Sequence, residues 1–433
     1  MDLKRALEAV ASTHTIETFG RVQGSMGLAL KASIPGGRIG ELVEIVRDPE
    51  APLLAEIVAF DGPFATILPL GDLAGTGAAD RVRPLEAPLT IRASAGLLGR
   101  VLDGLGRPID GGAALEGEAW DVVRSPPAPL ERRRVRQRLD LGIRALDAFA
   151  TAGEGQRLGI FAGSGVGKTS LLAQIARQAN ADVFVACLIG ERGREVREFL
   201  EDALGEEGRK RGVVVCATSD VPALVRMKSA HVATAIAEWF AYQGNRVVLM
   251  MDSLTRFVRA GREVGLAAGE PPTRRGYPPS AFSALAPLLE RAGTIGSGSI
   301  TAFYTVLVEG GDLDEPVADE VRGLVDGHLV LDRELMDRGR RPAIDVLRSL
   351  SRLMPQVVDA PHLEAAQTLR RWIGVYEAKR DLVLLGAYKR GGDRVLDRAL
   401  DQKDAIEAFL QQGPNERSSY EDVLQRLIEL SDD

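Results

Sequence analysis

The sequence predicts a multidomain α/β protein: a small N-terminal β-barrel, a central domain on a mostly parallel sheet, and a helical C-terminal domain. Three observations carry this. Between residues 159 and 354 apolar strand-like runs alternate with helical patterns, the texture of a parallel sheet covered by helices. From 21 to 90 the runs are short and broken regularly by Gly, Pro and Asp, as in an all-β barrel or sandwich. Beyond Met354 the chain turns helical and charged to its end. At 433 residues it exceeds one ordinary domain, which leaves room for all three parts.

Taken in order, the first element is an amphipathic helix assigned to residues 1–20, with Leu3, Leu7 and Val10 on one side and Lys4, Arg5 and Glu8 on the other. Two readings stay open for it, folding back on its own domain or docking a partner. The barrel, 21–90, contains ELVEIV (41–46), LLAEIVAF (53–60) and ATILPL (65–70), punctuated at Pro35-Gly36-Gly37 and Asp61-Gly62-Pro63. Segment 124–138, RSPPAPLERRRVRQR, reads as an extended connector whose arginines are solvated, with a subunit-contact or anionic-surface role as the second reading. The central domain, 91–355, holds GIF (159–161), a helix at 169–178, DVFVACLIG (182–190), VVVCA (213–217), a helix at 221–242, RVVLMMD (246–252) and SITAFYTVLVE (299–309). The C-terminal domain, 356–433, includes a helix at 363–385.

Composition removes several classes. A formal net charge of -7 opposes nucleic-acid binding through the surface as a whole. Cys187 and Cys216 both lie in apolar runs, so they are expected as buried strand residues in a reducing compartment rather than a disulfide. His14, His231, His328 and His362 show no metal-ligand spacing. The opening MDLKRALEAV lacks the apolar core of a secretory signal, and no run approaches the ~20 residues that span a bilayer. A cytoplasmic enzyme is expected.

The chemistry concentrates in one loop, Ala162-Gly163-Ser164-Gly165-Val166-Gly167-Lys168-Thr169. Polyphosphate needs backbone N–H groups aimed at it with no side chains in the way. Three glycines, a helix N-terminus and one lysine supply that. Lys168 would reach the β- and γ-phosphates and Thr169 would place its hydroxyl on Mg²⁺. Asp252, ending an apolar strand, would emerge at the carboxyl edge of the sheet, where it can hold hydrated Mg²⁺. At another strand end stands Gly190-Glu191-Arg192-Gly193-Arg194-Glu195, where a glutamate can polarise water and an arginine can neutralise developing charge.

In this order GIFAGSGVGKTSLL, LIGERGREVREFLED, LMMDSLTRF, GEPPTRRGYPPSAF, GSITAFYTVLVEG and RPAIDVLRSLSR resemble the ATPases of type III protein secretion, which serve flagellar export and the injectisomes and are relatives of the catalytic subunit of rotary ATPases. LLGRVLDGLGRPIDGG (97–112) extends the resemblance towards the barrel. It implies a homohexamer with an N-terminal β-barrel, a RecA-like nucleotide domain and a helical C-terminal domain, its active sites between subunits. It implies ATP contacts at Gly163, Ser164, Gly165, Val166, Gly167, Lys168, Thr169 and Ser170. Glu191 resembles the catalytic glutamate, and Arg192 and Glu195 would support phosphate and metal-bound water. Asp252 matches the strand-end aspartate, and Arg256 a further active-site arginine. Arg352 resembles the arginine finger that enters the neighbouring subunit's site. One position departs from the pattern: Arg341 stands where an aromatic usually stacks on adenine. A guanidinium can stack too, and Phe409 matches a second adenine-side aromatic.

The resemblance also implies partners: a peripheral stator protein at the N-terminal helix, a central stalk protein, the membrane export gate, and export chaperones with their substrates, at the inner face of the cytoplasmic membrane. No nucleic acid is expected. A rotary catalytic subunit shares the phosphate loop, but GEPPTRRGYPP and the short C-terminal domain favour the secretion branch. An RNA translocase would need a barrel with clustered aromatic and basic residues; Phe19, Phe60 and Phe64 form no such cluster along the sequence. GSGVGKT leans flagellar, whereas the compact length and APLLERAGTIGSGSITAF lean towards the injectisome.

Overall fold

The computed structural model describes residues 18–47 and 50–432, so the pattern of Leu3, Leu7 and Val10 lies outside it. The described chain divides into two compact units. One comprises residues up to Leu89 with Pro222–Leu224 and Glu263–Pro278; the other holds the remainder.

In the first unit six strands, Gly20–Met26, Ala29–Ser33, Leu42–Val46, Leu53–Asp61, Phe64–Pro69 and Arg81–Pro84, close into an antiparallel barrel. Alternation decides which side chains fill it. Val43 and Ile45 are buried with Ile57, Ile67 and Val82, whereas Glu44 between them pairs with Arg83 on the neighbouring strand. Closure leaves no unpaired sheet edge. Folding also does what the linear pattern hides. It sets Lys31 over the Phe64 ring at 4.9 Å and Arg81 over Phe19 at 5.0 Å, two separate basic–aromatic pairs.

The second unit is built on a nine-stranded sheet. Its order is Leu350–Ser351, Gly327–Leu331, Arg157–Ala162, Gly298–Leu307, Arg246–Asp252, Val183–Glu191, Gly212–Thr218 and Val101–Asp103, with Gly293–Ile295 added onto Gly298–Leu307. All pairings are parallel except those of Leu350–Ser351 and Gly293–Ile295. Val183–Glu191 is buried along its whole length, which is why it reads as an unbroken apolar run. Cys187 and Cys216 lie inside the sheet as free thiols, and burial pushes Cys216 up to about 12. Val101–Asp103 and Gly327–Leu331 were not foreseen as strands. The first is only three residues long, and the second carries a histidine in its short run.

The 124–138 connector corrects the sequence reading in part. Arg132 donates to the carbonyls of Ala292, at 2.9 Å, and Glu290; Arg133 donates to Gly298 O at 2.9 Å. Arg134 and Arg136 are exposed. The connector is therefore pinned along the sheet's own return strand rather than solvated throughout.

The C-terminal helices Ala360–Leu384, Arg394–Leu410 and Tyr420–Asp432 pack on the same unit. Asp359 and Asp393 cap the first two by accepting His362 N–H at 3.1 Å and Val395 N–H at 2.9 Å. Buried His362 ties them inward. Its Nε2 donates to Ala148 O at 2.9 Å, so Nδ1 is left to accept from the Tyr420 hydroxyl at 2.8 Å. Arg144 donates to Phe409 O at 2.7 Å and also to Glu416.

One charged pair is sealed in this unit. Arg291, 1 % exposed, donates through Nε and Nη2 to both Glu238 oxygens at 2.7 Å, and its third nitrogen donates to Val122 O at 2.9 Å. Removing one partner strands the other charge in the core. Glu238→Ala is expected to cost about 3 kcal/mol, seen as a clearly lower calorimetric Tm. An unchanged Tm would show that the pair contributes nothing.

Candidate active site

The strand Arg157–Ala162 delivers the chain to the carboxyl edge of the sheet, and the helix Lys168–Gln178 leaves it. Between them the loop bends through Gly165 at φ 75° and Gly167 at φ 89°, a region closed to most side chains. Gly167 is the helix N-cap and has no side chain to cap the first turn. Among the described residues the leading N–H groups of that helix have no hydrogen-bond acceptor, the arrangement that suits an anion. Val166 is buried beneath the loop, while Ser164, Thr169 and Ser170 are exposed.

Sheet order sets what stands beside this loop. Asp252 ends the strand two places along, and Glu191 ends the next one. Lys168 Nζ reaches Asp252 Oδ1 at 2.5 Å, and the Thr305 hydroxyl donates to the same carboxylate at 2.9 Å. The peptide bonds Asp252–Ser253 and Arg341–Pro342 are cis. Glu191 is 9 % exposed, and Arg256 Nη2 donates to its Oε2 at 3.2 Å. Burial, then a shared hydrogen bond with Glu195 and the nearby charge of Asp252, pushes the Glu191 carboxyl up to about 7. Glu195 is held low in turn, by that shared bond first and by Arg192 and Arg194. The two carboxyls therefore differ in proton affinity, Glu191 higher and Glu195 lower.

The predicted residues fall into groups. Lys168, Asp252, Glu191, Glu195 and Arg256 lie close together at the sheet edge. Arg256 donates to Gly190 O as well and so works as a brace on Glu191. Arg192 is exposed and its Nη1 lies 3.3 Å from Glu195 Oε1. Arg352 is exposed, and among the described residues its guanidinium has no hydrogen-bond or ion-pair partner; only its main-chain N–H is engaged, to Asp326 O at 3.0 Å.

Phe409 is a correction. It has no exposed surface and packs in the core with Ile406, Leu410, Val423 and Leu427, because the inward stripe of Arg394–Leu410 carries it there. A cavity of about 170 Å³ adjoins the loop, lined by Val166, Gly167, Ser170, Gln174, Arg340, Arg341, Pro342, Gln412 and Pro414 among others. Arg341 is among these lining residues. From the C-terminal helical region the wall is Gln412 and Pro414 instead of an aromatic ring. Arg333 was missed by sequence reasoning: its Nη2 donates to Ser164 O at 2.5 Å.

Among the described residues no three His, Cys, Asp or Glu side chains form a cage for a metal ion. Thr169 is exposed and the Asp252 carboxylate meets Lys168, so both offer oxygens of the kind Mg²⁺ takes, an ion that keeps several waters and draws further ligands from phosphate. No helix among the described residues is long and apolar enough to cross a membrane.

A glycine loop opening a helix at the carboxyl edge of a parallel sheet, with a lysine-paired aspartate and a buried glutamate two and three strands away, defines a P-loop nucleoside triphosphatase. The sequence matches the ATP synthase alpha/beta family nucleotide-binding domain over residues 142–351 and the T3SS EscN ATPase C-terminal domain over residues 358–429. It is 49% identical to a type 3 secretion system ATPase of Xanthomonas euvesicatoria, across 100% of this chain and 98% of that one. It is 44% identical to the flagellum-specific ATP synthase of Bacillus subtilis, across 100% and 99%. The structure superposes on the assembled ATPase EscN of the enteropathogenic E. coli type III secretion system with a TM-score of 0.91 at 44% identity, covering 95% of this chain and 100% of that one. The chain belongs to the family of type III secretion ATPases and flagellum-specific ATP synthases. By that membership it is an ATPase of type III protein export, of the flagellar or the injectisome branch.

The cavity beside the loop offers little to read a base with. The Gln412 amide is already spent, accepting Arg144 N–H at 2.8 Å and donating to Gly142 O at 2.8 Å and Glu416 O at 2.7 Å. ATP and GTP are therefore expected to differ by less than about tenfold in kcat/KM. A preference of a thousandfold would show that adenine is read by groups beyond these.

Proposed function

We propose that this chain hydrolyses ATP in a homohexameric ring, at sites shared between neighbouring subunits, to release export substrates from chaperones, unfold them and pass them to a membrane export gate. The observation that carries the mechanism is the meeting of Lys168, Asp252 and Glu191 at one sheet edge beside the glycine loop. The N–H groups of 163–170 bind the polyphosphate, and Lys168 exchanges its contact with Asp252 for the β- and γ-phosphates. Glu191, braced by Arg256, orients the attacking water; a carboxyl near 7 is matched to taking a proton at neutral pH. Thr169, with Asp252 and Glu195 through water, would hold Mg²⁺, which supplies charge neutralisation on the phosphate oxygens. Arg192, on the exposed side of Glu195, is poised for phosphate charge as it develops. Arg341 lies along the base.

Support for the ring comes from Arg352, an exposed arginine with no side-chain partner among the described residues, which we assign to a neighbour's site. The EscN relative is described as assembled, and a second structure shows it in complex with its central stalk EscO, matching this chain with a TM-score of 0.88. By analogy this chain takes a central stalk, with a peripheral stator at its N-terminal segment, and works at the cytoplasmic face of the membrane. The match of residues 358–429 to the T3SS EscN ATPase C-terminal domain favours this reading over a rotary catalytic subunit.

Arginine fingers contribute roughly 10³ to 10⁵ in rate, so Arg352→Ala is expected to bind ATP nearly as the wild type does and almost cease turning over. Lost binding with full turnover per occupied site would refute its assignment. Glu191→Gln is expected to trap ATP unhydrolysed, measured as bound ATP against ADP after rapid filtration. Substantial turnover in that variant would move the water-activating role elsewhere.

A further inference from the structure

We propose that Arg333 is a positioning residue of the phosphate loop, one that fixes the Ser164–Gly165 peptide so that the Gly165 N–H points at the bound polyphosphate. The inference rests on the reading of 163–169 as the phosphate site. Its starting point is register. Arg157–Ala162 pairs in parallel with Gly327–Leu331, and Ala162 lies opposite Leu331. Two residues further along each strand the chain reaches Ser164 on one side and Arg333 on the other. Asp332 caps the short helix Arg333–Asp337 by accepting Leu335 N–H at 3.1 Å, so the backbone that carries Arg333 is itself held.

From there the guanidinium Nη2 donates to Ser164 O at 2.5 Å, and it would lie 3.8 Å from a side-chain carbon placed on Gly165. A trans peptide holds its C=O and N–H in opposite directions. Tying the Ser164 carbonyl towards Arg333 therefore turns the Gly165 N–H to the other side. Gly165, at φ 75°, is the residue that permits this turn, and its freedom is also what would let the peptide flip without a tether. Among the described residues Arg333 has no carboxylate partner, so its charge-assisted bond goes to the loop alone. Such a tether pre-orders a donor before the nucleotide arrives. It lowers the ordering cost of binding without touching the reacting atoms, so it acts on the ground state and the transition state alike.

The test uses the full chain and four proteins: wild type, Arg333→Met, Arg333→Gln and Lys168→Ala. ADP affinity is measured by displacement of a fluorescent ADP analogue, and ATP hydrolysis at steady state. Arg333→Met, which keeps reach but loses donors, is expected to raise the ADP Kd and the ATP KM together by about tenfold, with kcat altered less than twofold. Arg333→Gln, a neutral donor, is expected to recover most of that affinity. The proposal is overturned if Arg333→Met binds ADP as the wild type does. It is equally overturned if kcat falls at unchanged KM, or if Arg333→Gln is as weak as Arg333→Met, since both outcomes put the charge of Arg333 on phosphate. Lys168→Ala separates the levels: unimpaired ADP binding in that variant would refute the phosphate-site reading itself and the role of Arg333 with it.

Discussion

Parallel hydrogen bonding between Arg157–Ala162 and its neighbours sets the height at which every functional side chain leaves the sheet. The strands Gly298–Leu307 and Gly327–Leu331 flank it, and Arg246–Asp252 and Val183–Glu191 follow on one side. Because all five run in the same direction, their carboxyl ends emerge at one edge. The loop, Asp252, Glu191 and Arg333 are all strand-end or just-past-strand-end residues for that reason. A one-residue slip of Arg246–Asp252 against its neighbours would turn Asp252 to the other face of the sheet, away from Lys168. The 2.5 Å contact between them reports that the register is right.

Around this edge the same few groups serve both stability and chemistry. Asp252 is almost fully buried, and Lys168 with the Thr305 hydroxyl satisfies its Oδ1. A buried carboxylate left alone would be costly, so the lysine that waits for phosphate also keeps the sheet edge stable. Glu191 is handled differently, with burial and a neighbouring carboxyl raising its proton affinity while Arg256 restrains it.

The segment 333–342 links this edge to the C-terminal helices. Arg333 holds the loop, Arg338 lies 3.9 Å from Glu377, and Arg340 pairs with Glu407. Among the described residues Arg341 is held through its backbone alone, its N–H donating to Gln411 Oε1 at 2.9 Å and its carbonyl accepting Gln412 N–H at 2.7 Å. Its guanidinium stays available to the cavity, whereas the ring of Phe409, one turn before the wall, is committed to the core. The two expected base-side residues thus differ in what packing leaves free. Matching a motif gives the helix, but only packing gives the face.

What the sequence determined by itself was local. Glycines at 163, 165 and 167 before a lysine and a threonine specify a loop and a helix start through backbone freedom and the missing side chains alone. Apolar runs such as DVFVACLIG specify buried strands, and their order specified the three-part architecture. Only the tertiary structure decided which strand ends are neighbours, because pairing order comes from packing many elements at once. That is how Arg333, 169 residues from Ser164 along the chain, came to hold its carbonyl. It is also how the arginines at 132 and 133 found backbone acceptors instead of solvent, and how Glu191 acquired a proton affinity that no glutamate has in isolation. Contacts between residues so distant along the chain depend on loop closures and shared burial, and these leave no period or spacing in the sequence to be read.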